Sequence, residues 1–335
     1  MKNHEQFEMP EIKEGYKPHI EMQDISTFSG LSLEELSQKA IEIILEKVRE
    51  NPISENRYRQ KYNLTGGQPF AKELELYAQK IIENYQRSAA EKMLLFKQQA
   101  DDCFALTRKK EYLTKARDYK IIIADNFLHY GLQPSKFTPT LNSYSQDLNA
   151  IYIELNTPNK LLAHEVGHTL STRPHESATG FTRLEKSKEG RIISVGNKWF
   201  NEGVTVMWEE TSVNDNSVIP SREEEGDYYG WCRAATHLVM KELALNEDTV
   251  FKAYFGNYES RNLVEQKIKE RFKCSLEDLR CLSLKLDIEF TKKIIQGDKV
   301  ELIIKNTTSD SVIKQMDKLS EIFSNVSIID TRKDK

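Results

Sequence analysis

The apolar positions of this chain change their period part-way along. From Ser32 they recur at helical spacing: Leu36, Ala40, Ile43, Ile44 and Val48 share a face, Ser32 can cap, and Glu34 and Glu35 favour the positive end of the dipole. Asn51-Pro52 stops that helix, because the residue before a proline is driven out of the helical region. Gly66-Gly67 and Pro69 punctuate next, and two amphipathic segments follow over residues 71–85 and 89–117. Strand signals begin with the β-rich run Tyr119–Ala124. Residues 150–155 then alternate, with Ile151, Ile153 and Leu155 on one face and Tyr152 and Glu154 on the other. A helix follows directly: Thr157 can cap it, Pro158 suits its first position, and residues 161–170 continue it. Residues 171–195 read as a charged loop with glycine. Helices are predicted over residues 198–210, 227–245, 247–254 and 263–272, and the last fifty residues read strand (300–304), helix (311–323), strand (326–329).

This pattern predicts an α+β, mostly helical chain. It divides into a flexible arm (1–30), a helical region (31–118), a catalytic domain (119–284) and a small α/β extension (285–335). A length of 335 residues allows one large or two ordinary domains. Lysine and arginine number 48 against 52 acidic residues, a net charge of −4, so the chain lacks the clustered positive excess that a nucleic-acid binder needs. No apolar run approaches the roughly 20 residues of a membrane span, and residues 1–10 do not resemble a signal peptide. The four cysteines form no Cys-x-x-Cys pair and read as free thiols of a reducing compartment. The expected address is cytoplasmic, with export by a system that reads no cleavable signal left open.

Chemistry enters at His164-Glu165-Val166-Gly167-His168, inside a segment that reads as a helix on its own evidence. Residues four apart share a helical face, so the two imidazoles can occupy two corners of a zinc tetrahedron at about 2.0–2.1 Å. Glu165 then sits beside the metal, placed to take a proton from a water whose pKa the ion lowers to about 7. A catalytic zinc has three protein ligands and one open position. His175 is one candidate for the third ligand, but it misses the metzincin spacing, whose third-histidine position here is Pro174. Glu202, within Trp199-Phe200-Asn201-Glu202-Gly203 on a hydrophobic helix, is the better one.

Here the chain resembles the gluzincin zinc metallopeptidases, and among them the aminopeptidase N-like branch, in which the glutamate of a Trp-x-Asn-Glu-Gly stretch is the third ligand. The resemblance covers about residues 161–245. It implies a zincin-like core, with a small sheet and active-site helix followed by a helical subdomain, and one Zn2+ per chain held by His164, His168 and Glu202. It further implies that a tyrosine or histidine downstream of the third ligand stabilises the oxyanion; Tyr228 and Tyr229, in Tyr228-Tyr229-Gly230-Trp231, are both open for that role. Departures are visible. The interval from His168 to Glu202 is longer than the branch uses. Val206 stands where thermolysin-like enzymes carry a histidine-orienting aspartate, and no Gly-x-Met-Glu-Asn motif is present.

The expected activity is hydrolysis of a peptide or protein substrate, with Glu165 as base. The strand at residues 150–155 would be an edge that pairs with substrate and presents Tyr152. Arg233 is a candidate for a substrate carboxylate or for pairing with a glutamate, and His237 for donating to the substrate oxyanion or for a packed position on the same helix. Two alternatives stand beside this. The chain is also similar, more weakly, to the microtubule-associated tyrosine carboxypeptidases, which place a long helical region before their zinc helix. It could instead be a non-catalytic protein that uses zinc as a staple and binds a partner. No membrane or nucleic-acid partner is expected, and oligomeric state is not readable.

Overall fold

The computed structural model describes residues 16–113, 116–132, 141–146, 148–173, 178–186, 192–212, 228–284 and 286–333. The architecture is α+β and mostly helical, and it divides into two compact units. One comprises Lys17–Cys103 and Arg117–Thr169, the other Met1–Tyr16, Phe104–Ala116 and Leu170–Lys335.

The first unit opens with β1 (Ile20–Asp24) and α1 (Ile25–Ser29), in a stretch expected to be a loose arm. Of the β1 side chains only Ile20 is fully buried, so the strand shows no alternation to read. Helix α2 (Leu33–Glu50) begins with a complete capping box: Ser32 accepts from the Glu35 amide, and the Glu35 side chain accepts from the Ser32 amide. Such caps contribute about 0.5–2 kcal/mol. After α3 (Ser54–Lys61), the two expected amphipathic segments turn out to be one 40-residue helix, α4 (Phe70–Lys109). The expected break at Gln86-Arg87-Ser88 contains neither glycine nor proline, so nothing interrupts the hydrogen-bond ladder there.

Next come β2 (Tyr119–Ala124), α5 (Asn126–Tyr130), β3 (Ser143–Ser145) and β4 (Ala150–Glu154). The sheet order is β1-β2-β4-β3, parallel except for β3. Ile121 and Ile123 of β2 lie opposite Ile151 and Ile153 of β4, all fully buried. The near-continuous apolar runs of β2 and β4 are those of strands covered on both faces. One expectation fails here. Strand β4 is paired on both sides, so it is interior and offers no edge to a substrate; β3 is the edge. Tyr152 is fully buried and packs edge-on against Phe28, with ring centroids 5.2 Å apart. It is a core residue rather than a substrate contact. From β4 the chain enters α6 (Asn159–Ser171).

In the second unit, residues expected to be loop form a four-stranded antiparallel sheet in chain order: β5 (Thr172–Arg173), β6 (Ala178–Thr179), β7 (Thr182–Lys186) and β8 (Ile192–Gly196). Strands of two residues cannot display a period. Helix α7 (Lys198–Ser212) follows, buried at every position from Trp199 to Glu209, the polar Asn201, Glu202, Thr205 and Glu209 included. It packs on α8 (Tyr228–Glu242) at Gly203, where an added Cβ would stand 2.2 Å from Thr236 Oγ1 and 2.4 Å from the Cys232 carbonyl oxygen. Only glycine permits that approach. Helices α9 (Glu247–Tyr254) and α10 (Tyr258–Phe272) follow, then a 3-10 turn (Glu277–Ser283) whose Leu279 carbonyl accepts from Trp199 Nε1 at 3.0 Å. After α11 (Ile288–Gln296), the expected strand, helix and strand appear as β9 (Val300–Ile304), α12 (Asp310–Ile322) and β10 (Val326–Asp330), with the two strands parallel. Among the described residues, no helix is long and apolar enough to cross a membrane. All four cysteines are buried and none forms a disulfide.

Candidate metal centre

His164, Glu165 and His168 lie on the second and third turns of α6. His164 and Glu165 are buried, and His168 is partly so. The two imidazoles meet edge to face, with centroids 4.8 Å apart, and aim their Nε2 atoms at one another at 3.1 Å. Two ligands on a tetrahedral ion with bonds of about 2.0–2.1 Å stand roughly 3.3 Å apart, so this pair has the separation of co-ligands. The last turn of α6 is tied down by Thr169 Oγ1, which donates to the Glu165 carbonyl at 2.9 Å.

Glu202, buried on the first turns of α7, adds a carboxylate. One ligand atom from each of His164, His168 and Glu202 lies within 4.8 Å of the other two. Two imidazole nitrogens and one carboxylate oxygen form a donor set that could hold a divalent metal ion, and their chemistry is among those zinc accepts. The residues present therefore fit the ion that the motif implies.

Of the remaining candidates, Tyr228 lies within the electrostatic reach of Glu202. Tyr228 opens α8 and is half-buried, stacked on Trp231 at 6.4 Å between centroids. Burial pushes its hydroxyl pKa well up; a hydrogen bond with Cys232 and the negative field of Glu202 act in the same direction. Tyr229 packs edge-on against Tyr228 and is 37% exposed. Arg233 Nε donates to Glu210 at 2.8 Å, so the second of its two expected roles is the one observed. His237 is partly buried further along α8. His175 lies outside the described residues.

Sequence reasoning missed the residues that hold α7 in place, among them Arg173 and Gly180. Arg173 is an arginine 5% exposed, donating to the carbonyls of Ser171, Tyr254 and Gly180. No side-chain pattern marks such a residue, because its partners are backbone carbonyls, one of them 81 residues away. The chain matches no family model, no curated protein and no solved structure.

Proposed function

We propose that this protein is a zinc metallopeptidase with a zincin-like core, in which His164, His168 and Glu202 hold the ion and Glu165 is the general base. The observation that supports this most is the convergence of the three ligand atoms within 4.8 Å, drawn from an i,i+4 histidine pair and a glutamate 34 positions beyond the second histidine. When bound, such an ion lowers the pKa of a water to about 7 and polarises a carbonyl. The chain's own groups do the rest. Glu165, next to the first ligand and buried, takes the proton from the attacking water and returns it to the leaving amine. Tyr228 donates its hydroxyl to the carbonyl oxygen as charge develops there. The buried setting of His164, Glu165 and Glu202 strengthens each of these interactions by keeping bulk water away.

The pairing of Arg233 with Glu210 speaks against a carboxypeptidase that would use Arg233 for the terminal carboxylate. A non-catalytic zinc staple has no need of a buried Glu165 beside the ligands. The discriminating experiment is Glu165→Gln, assayed for zinc content and for cleavage of a mixed peptide pool. The expected outcome is one zinc per chain, with hydrolysis reduced at least about a hundredfold. Normal hydrolysis by that variant would show the base to be misassigned. Absence of zinc from the wild type would remove the proposal.

A further inference from the structure

At the Gly180–Phe181 turn three backbone groups, the Gly180 amide, the Gly180 carbonyl and the Phe181 amide, are all hydrogen-bonded, the first to the end of α6 and the last to α7. The Gly180 amide donates to the carbonyl of Ser171, the last residue of α6, at 3.0 Å. The Gly180 carbonyl accepts from Arg173 Nη2 at 2.9 Å and from Arg261 Nη1 at 3.1 Å. The Phe181 amide donates to Oδ1 of Asn201, the residue before Glu202, at 2.9 Å. Arg173 Nη1 adds bonds to the carbonyls of Ser171 and Tyr254, both at 3.1 Å. One helical turn beyond Asn201, Thr205 Oγ1 bonds the Asn201 carbonyl at 2.7 Å and the Tyr254 hydroxyl at 2.8 Å.

Gly180 has φ +53, and a Cβ there would stand 2.2 Å from Asn201 Oδ1 and 2.4 Å from the Tyr254 ring. Both the backbone conformation and the contact therefore require glycine. At about 100° per residue, Asn201 and Thr205 mark one side of α7, Gly203 lies about 200° round from Asn201, and Glu202 projects between them. The Asn201 side is hydrogen-bonded to the 180–181 turn, and the Gly203 side is pressed against α8. Rotation of α7 about its axis is thus blocked from both directions.

We infer that Asn201, through the Gly180–Phe181 peptide and the buried Arg173 guanidinium, is a positioning residue for Glu202. It sets where the third ligand's carboxylate points, without touching the ion. This rests on the zinc reading above. Its expected size is that of an outer-shell partner, about 10–100-fold in metal affinity.

The test measures zinc affinity by chelator competition, together with the melting temperature of the metal-free protein, for wild type, Asn201→Ala, Asn201→Leu and Asn201→Asp. Asn201→Leu preserves volume should the alanine variant not fold, and aspartate keeps an acceptor for the Phe181 amide. The expected result is a 10–100-fold weaker affinity for the alanine and leucine variants, restoration to within about threefold by aspartate, and a shifted visible spectrum of the cobalt-loaded leucine variant. Wild-type zinc affinity in a folded Asn201→Ala or Asn201→Leu protein overturns the positioning role and leaves the metal centre intact. Failure of the wild type to bind zinc overturns the metal reading itself, and is recognised because no variant then differs.

Discussion

The two helices that supply the candidate ligands are organised on opposite principles. Helix α6 needs only itself: the i,i+4 spacing brings His164 and His168 to a 3.1 Å separation, and a bond from Thr169 back to Glu165 holds the turn. Helix α7 carries one candidate ligand, and the residues around Glu202 are held by partners 20 to 80 residues away: Asn201 by Phe181, Gly203 by Cys232 and Thr236, Trp199 by Leu279. A pair built by local geometry survives small disturbances of the fold. A ligand aimed by tertiary contacts does not, and mutations far from the ion should reach it.

That contrast can be broken at several strengths. The largest effect is expected from His164→Ala, which should reduce zinc from one per chain to none; retention of the ion would show that the imidazole pair is not its anchor. Tyr228→Phe should lower kcat by about 10²–10³ with zinc content unchanged, the loss typical of one oxyanion donor. Unaltered turnover would assign that role elsewhere, with Tyr229 next in line. Gly203→Ala should destabilise the protein by about 1–3 kcal/mol, read from the denaturation midpoint, because its Cβ overlaps a backbone carbonyl as well as the Thr236 hydroxyl. Thr236→Ala in the same chain should restore only part of that loss.

The smallest effect lies away from the site, where β2 and β4 end. Burial raises the Asp125 carboxyl above its usual value of 3.8, against the lowering effect of the Phe127 and Leu128 amides. Glu154, register partner of Ala124, is raised by burial and by the Asp125 charge. A carboxyl whose pKa is higher folded than unfolded binds more protons in the native state, so its stabilising effect is present at low pH and fades as pH rises through the folded value. Asp125→Asn keeps the amide acceptor and removes the titration. It should raise the melting temperature at pH 7 and flatten its dependence on pH above about 4. A lower melting temperature at pH 7 would contradict this.

What the sequence made legible follows the same divide between local and distant causes. The motif helix, the Ser32 cap, the β2 run and the bounds of α9 could all be read, because each is fixed by residues within a turn or two; the reciprocal Glu35 bond of the capping box was not. The proximity of Glu202 to the two histidines was expected only through resemblance to a known motif, since nothing local says that an acid on a buried helix meets them. The β5–β8 sheet was invisible because its shortest strands have two residues. The interior place of β4 was misjudged because its outer neighbour, β3, is only three residues long and reads as Ser-Tyr-Ser. Alternation along β4 shows its two faces, and says nothing about how many neighbours it has.

The central claim is that three side chains on two helices hold one divalent ion, and the most direct test is zinc stoichiometry and affinity of the wild type beside Glu202→Ala. One tightly held zinc per wild-type chain, with binding weakened at least about a hundredfold in the variant, is the expected result. An equal affinity in both proteins would contradict the account.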